Sequence, residues 1–228
     1  MQVAPGVYAI GAVGSTAYLL GGIELTAVDA GGPGSAPRIL RQVRQLERQP
    51  RDLTRILLTH VDLDHVGGLP DLVEATGARV FAHPAAFDLL AAGRVAWGDR
   101  GLSSAWALVR GAFTRPRRAQ MAGEPLVDGM VLPILGGLRA IFTGGHSEDH
   151  VVYFLEQSRL VLAGDLLEAR RGHLEAFPGQ GALRREETVI ALRRLAELDP
   201  LGILPGHGPV YRDNIALRLI RLAEILEE

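Results

Sequence analysis

THVDLDHVGG, residues 59–68, follows directly on the apolar run Ile56-Leu57-Leu58. Two imidazoles and two carboxylates, His60, Asp62, Asp64 and His65, are crowded into six residues. The preceding stretch, 53–59, is short and almost wholly apolar, the pattern of a strand buried on both faces. Its end therefore delivers His60 at the rim of a core. Burying that many carboxylates without partners would cost several kcal/mol each, so the cluster calls for cations to share.

The same arrangement recurs downstream. His146 follows Ile141-Phe142-Thr143 in TGGHSEDH, Asp165 follows 160–163 in LVLAGDLL, and His207 follows Ile203-Leu204 in ILPGHGPV. Glycines flank most of these residues, permitting the sharp turns and close backbone approach that converging loops require. The chain has no cysteine, so thiolate nucleophiles and thiolate metal sites are excluded and any metal sits on nitrogen and oxygen. Four histidines and up to three aspartates exceed the three or four protein ligands that one zinc takes. Two metals sharing a bridging carboxylate would use them all, so the sequence points to a dinuclear centre.

HVDLDH followed by GG resembles the His-x-His-x-Asp-His signature of the metallo-β-lactamase superfamily, and GGHSEDH, AGDLL and PGHGPV resemble that family's later ligand motifs in the same order. The resemblance runs from Val7 to the last helix. It implies an α/β architecture: a four-layer αβ/βα sandwich of two mixed sheets flanked by helices, with the active site along one edge. By position it implies His60, Asp62 and His146 around a first metal, and Asp64, His65 and His207 around a second. Asp165 would bridge them. It further implies a metal-bridging hydroxide as nucleophile, with Asp64 both a ligand and a proton acceptor.

Asp62 departs from the family, which most often has histidine there. Three aspartates and one hydroxide cancel the charge of two divalent ions, whereas histidine at 62 would leave the centre positive. The aspartate is therefore expected to weaken Lewis acidity and hold the pKa of bound water higher. Zinc is the expected metal. The added oxygen donor also suits iron or manganese, and keeps open an iron-dependent oxidoreductase or dioxygenase beside the hydrolase.

Around these motifs the chain reads as two strand-rich halves, each closed by helices. Strands are expected at 7–10, 16–20, 25–28, 53–59 and 79–82, then at 130–134, 138–143, 151–155, 160–163 and 203–204. Ser35, with Pro37 after it, is expected to cap a helix carrying Ile39, Val43 and Leu46. Further helices are expected at 69–75, 86–92 and 186–198, with Asp213 capping a final one. Asp29, closing LTAVDAGG, is expected to order the neighbouring loops. His150 is expected to cap or pack at the start of the next strand, and His83 and His173 to be ordinary.

The 228 residues are read as one domain, with an insertion at about 93–120 in which arginines alternate with Trp97, Trp106 and Phe113. That segment reads either as a lid for an anionic substrate or, slightly favoured, as a solvated helical pair with core aromatics. A hydrophobic content of 47%, a charged content of 22% and a net charge of −2 describe an ordinary globular protein with no global pull toward nucleic acid or anionic membrane. The sequence shows no signal-peptide pattern and no span-length apolar run, so a cytoplasmic protein with a small-molecule substrate is expected. Exposed faces of the terminal helices are available for a homodimer. In its compact length and absence of extra domains the chain resembles the small glyoxalase II-like and lactonase-like members of that superfamily, which implies an ester, thioester or lactone substrate ahead of a phosphodiester.

Overall fold

Apolar alternation and short Gly-containing turns build the first sheet. The computed structural model describes residues 1–95, 123–179 and 181–228, and the chain divides into two compact units, Met1–Pro125 and Leu126–Glu228. In the first unit a seven-stranded sheet runs in chain order: β1 (Gln2–Ala4), β2 (Val7–Gly11), β3 (Thr16–Leu20), β4 (Leu25–Val28), β5 (Leu53–Leu57), β6 (Arg79–Ala82) and β7 (Gly123–Pro125). The first four pair antiparallel, and β4 to β7 pair in parallel. The sheet is therefore mixed.

Parallel neighbours need crossovers, and helices supply them: α1 (Ala36–Gln45) between β4 and β5, then α2 (Leu63–Val66) and α3 (Leu69–Thr76) between β5 and β6. A further helix, α4 (Pro84–Ala91), follows β6. Ile39 and Val43 of α1 and Leu69 and Leu72 of α3 are fully buried with Leu19, Ala27 and Ile56 of the sheet. Each such side chain contributes about 1.5–3 kcal/mol by leaving water.

The second unit holds a five-stranded mixed sheet in the order β14-β11-β10-β9-β8. Its strands are β8 (Val131–Leu132), β9 (Leu138–Phe142), β10 (Val151–Leu155), β11 (Leu160–Gly164) and β14 (Gly202–Pro205). Only β11 and β14 pair in parallel. A hairpin of β12 (Leu167–Arg170) and β13 (His173–Ala176) stands apart. Helices α5 (Ala182–Glu197) and α6 (Ile215–Glu227) share one apolar cluster, with Val189, Leu192 and Leu195 from one and Ile215, Leu219 and Ala223 from the other.

Two mixed sheets with helices are thus present, as expected. Among the described residues no helix is long and apolar enough to cross a membrane.

Several local expectations need correction. Ser35 occupies the cap position of α1 but makes no capping bond; its Oγ accepts the Val13 N–H instead, at 2.8 Å. Asp213 does not cap α6: Asn214 stands there in a left-handed conformation, and Asp213 Oδ1 accepts from the Asn214 amide at 3.0 Å. The expected strand at 130–134 shrinks to β8 because Leu135, Gly136 and Gly137 all turn through positive φ. Helix α5 begins four residues earlier than expected, at Ala182. The aromatics Trp97, Trp106 and Phe113 of the expected insertion lie outside the described residues.

Candidate metal centre

In open parallel sheets ligands gather beyond the carboxyl ends of the strands. Strands β4 and β5 are parallel neighbours, so the residues following them emerge side by side. Asp29 follows the first and His60 the second, and the Asp29 N–H donates to Leu57 O at 2.8 Å. Asp29 holds φ at 62°, a left-handed conformation that aspartate tolerates better than most residues.

Asp29 is 2% exposed and accepts three hydrogen bonds. They come from the Thr59 N–H, the Thr59 hydroxyl and His65 Nδ1, each at 2.8 Å. The last makes His65 a donor at Nδ1 and puts its lone pair on Nε2. Thr59 has a single hydroxyl proton, already given to Asp29, so its contact of 2.9 Å with His60 Nδ1 must be accepted from the ring. His60 therefore carries its lone pair on Nε2 as well. One buried carboxylate fixes both tautomers, the role such groups play behind metal-binding histidines.

The two rings lie with centroids 4.3 Å apart, both fully buried. Asp62, 5% exposed, opens α2 and places Oδ2 at 3.6 Å from His60 Nε2. Asp64 sits in the first turn of α2, and its carbonyl accepts the Ser15 hydroxyl at 2.5 Å. The turn is anchored to the Asp29 loop by Ala30 N–H to His65 O and Gly68 N–H to Gly31 O, both 2.8 Å. A Cβ at Gly68 would overlap Ala30 O, which is why that position takes glycine. Tyr18 of β3 has its phenol held well above the usual tyrosine range, by burial first and by the charge of Asp29 second.

In the second unit β9, β11 and β14 run in the same direction, so their carboxyl ends share an edge. His146 lies in the loop after β9, Asp165 directly after β11 and His207 two residues after β14. His207 Nε2 and Asp165 Oδ2 stand 3.1 Å apart. His146 Nδ1 donates to Phe177 O at 3.3 Å, which again puts the ring's lone pair on Nε2.

The His207 loop is closed at its base by paired bonds between Ile203 and Tyr211. It is tied at its tip by Ala169 N–H to His207 O at 3.2 Å. Gly208, at φ 94°, lies so close to β12 that a Cβ would overlap the Ala169 carbonyl.

The seven residues expected as ligands lie in the segments that follow β5, β9, β11 and β14, with Asp62 opening α2 and Asp64 and His65 within it. Their chemistry fits divalent ions: three imidazoles with the proton on Nδ1 and the lone pair on Nε2, beside carboxylate oxygens. His83 instead accepts the Ala85 N–H at 3.1 Å and caps α4. His173 is an exposed residue of the β12–β13 hairpin. His150 is fully buried and makes bonds through both ring nitrogens; sequence reasoning did not assign it to Asp165. The hairpin, which sequence reasoning also missed, could have been found from LEARRGHLEA. Leu167 and Ala169 alternate against Leu174 and Ala176 across Arg171-Gly172, and both turn residues take the positive φ of a two-residue I′ loop.

Residues 10–207 match the Lactamase_B family, the metallo-beta-lactamase superfamily, and the chain belongs to it. Among individual proteins it is similar to the probable metallo-hydrolase YqjP of Bacillus subtilis (strain 168), 32% identical over 220 residues, covering 86% of this chain and 67% of that one. It is also similar to the atrochrysone carboxyl ACP thioesterase of Aspergillus fumigatus, 30% identical over 154 residues. That match covers 67% of this chain, which spans about two fifths of the thioesterase. Its fold is that of a metallo-beta-lactamase family protein from Thermus thermophilus, at TM-score 0.71 and 24% identity over 99% of this chain and 81% of that one. A B3 metallo-beta-lactamase described as the first with an active-site glutamic acid superposes at TM-score 0.70 and 26% identity, over 99% of this chain and 87% of that one.

Proposed function

We propose that the chain is a metal-dependent hydrolase that holds two divalent ions and acts on an ester, thioester or lactone. The observation that carries this reading is the fixed tautomer of His60 and His65, both set by Asp29 so that Nε2 can ligate. It is supported by the donors that each unit carries after its strands: His60, Asp64 and His65 after β5 in one, and His146, Asp165 and His207 after β9, β11 and β14 in the other. The family match, which runs through residues 10–207, points the same way. Asp62 lies in the same segment as His60. Its oxygen beside His60 Nε2 supports it as a further oxygen donor there, and the B3 enzyme with an active-site glutamic acid offers a parallel for an acidic residue in such a centre.

Bound, the ions would lower the pKa of coordinated water toward about 7 and polarise the oxygen of the electrophile. The chain's own part is to hold the donors still. Asp29 fixes the tautomer and orientation of the imidazoles, the Ser15 hydroxyl anchors the turn that carries Asp64, and the Asp64 carboxylate can accept a proton from the attacking water. A thioester is the first substrate class to try, given the thioesterase relative.

The test is a panel of p-nitrophenyl esters, acyl thioesters and γ-lactones against zinc-loaded protein, before and after chelation. Hydrolysis of a panel member that is lost on chelation and restored by zinc is expected. Turnover indifferent to chelation, or none across the panel, contradicts the reading. The second reading is an iron-dependent oxidoreductase, favoured by the extra carboxylate at Asp62. Oxygen uptake by iron-loaded protein with a thiol or persulfide donor would replace the first.

A further inference from the structure

We propose that His150 is a positioning residue, coupling the loop that carries His146 to the turn that carries Asp165. The inference rests on the dinuclear reading above and assigns a task to a histidine that is not itself a ligand. His150 lies four residues after His146 in the same loop and is fully buried.

Its Nε2 receives the Asp165 backbone N–H at 3.2 Å. An amide nitrogen can only donate, so Nε2 is the acceptor and the ring proton is on Nδ1. That proton reaches Thr143 Oγ1 at 2.8 Å. Thr143 can accept it because its own hydroxyl donates to His150 O at 3.2 Å, alongside its backbone N–H at 3.1 Å. Every proton in this circuit has one place to go. Both nitrogens are spent on protein, so His150 has no lone pair to offer a metal.

The ring also stands edge-on to His146, with centroids 5.7 Å apart and planes at 70°. One side chain thus touches one ligand through its ring and orients another through its backbone. The Asp165 carboxylate, 3.1 Å from His207 Nε2, is aimed by a turn whose first amide is held by His150. Remove the acceptor and that amide is left buried and unpaired, which favours rotation of the turn. Loss of a group that orients metal ligands typically weakens binding about 10–100-fold.

The experiment uses the full chain with His150→Ala, His150→Gln and Thr143→Val. Glutamine can reach the position of Nε2 with an acceptor oxygen, so it should rescue what alanine loses. Amide exchange at Asp165 is followed by NMR in metal-free protein, and cobalt(II) binding is followed by its visible absorption. Expected are Asp165 exchange at least about tenfold faster and cobalt affinity about 10–100-fold weaker in His150→Ala, with a changed absorption envelope. His150→Gln should stay near wild type, and Thr143→Val should fall between.

A folded His150→Ala with wild-type Asp165 exchange or wild-type cobalt binding overturns the inference. Where His150→Ala does not fold, unchanged exchange and affinity in Thr143→Val overturn it equally. If wild type binds two cobalt ions and the variants match it, only this inference falls. If wild type binds none, the dinuclear reading falls and takes this inference with it.

Discussion

Replacing Asp29 with asparagine separates the fold from the metal centre. Asparagine tolerates the left-handed backbone at this position, so little strain is added. Its side chain, however, cannot repeat the three acceptances that the carboxylate makes. With the amide oxygen toward the Thr59 N–H, the amide nitrogen faces Thr59 Oγ1 and His65 Nδ1. The hydroxyl must then turn to His60 Nδ1, and both imidazoles are driven to carry their proton on Nε2, where a ligand needs its lone pair. With the amide flipped, the buried Thr59 N–H faces another donor. The first arrangement harms metal binding and the second harms stability.

An unsatisfied buried donor costs about 1–3 kcal/mol. In a chain of this size that lowers Tm by about 2–12 °C, at roughly 2–4 °C per kcal/mol. Metal affinity should fall about 10–100-fold. Asp29→Ala should be worse for the fold, by about 3–5 kcal/mol, because it strands all three buried donors. The assays are urea unfolding of the metal-free protein and zinc titration by calorimetry. Asp29→Asn that binds two zinc ions with wild-type affinity would refute the tautomer argument.

Gly208→Ala should destabilise by about 2–4 kcal/mol, since φ is positive and the new Cβ would overlap the Ala169 carbonyl; metal affinity should fall with it, because His207 is adjacent, and thermal scans with and without zinc check both. Asp62→Ala should weaken one metal by at least about tenfold in zinc titration while leaving the fold intact, and equal affinity at both sites would remove Asp62 from the ligand set. The folded pKa of Tyr18 is raised above its ordinary value of 10.0, so its contribution is complete below pH 10 and lost as pH climbs toward the folded value. The unfolded chain then binds fewer protons, and stability should decline by about 1 kcal/mol per pH unit above pH 10. Unfolding titrations of Tyr18→Phe should lack that part of the slope.

Most of the strands were legible in the sequence, and so was the placement of His60, His146, Asp165 and His207 just beyond strand ends, because apolar runs ending in His or Asp beside glycine stand out. Asp29 was legible as a supporting group for the same reason. What escaped was set by partners distant in sequence. Ser35 looks like a cap by its place before Ala36-Pro37, yet Val13, 22 residues away, takes its hydroxyl. Asp213 looks like a cap, yet the backbone turns one residue later, at Asn214. His150 and His146 are the same residue type in the same loop, and the bond from the Asp165 amide to His150 Nε2, which sets the two apart, joins residues 15 apart in sequence. The alternation in the β12–β13 hairpin was present but hidden by its charged residues, since Arg170, Arg171 and Glu175 dilute a strand signal.

The measurement that bears most directly on the central claim is elemental analysis of purified protein, scored as metal per chain for zinc, iron and manganese. Two ions per chain are predicted, falling toward one or none in His60→Ala and His207→Ala. Protein that holds no metal as purified, and takes up none on reconstitution, would contradict the account.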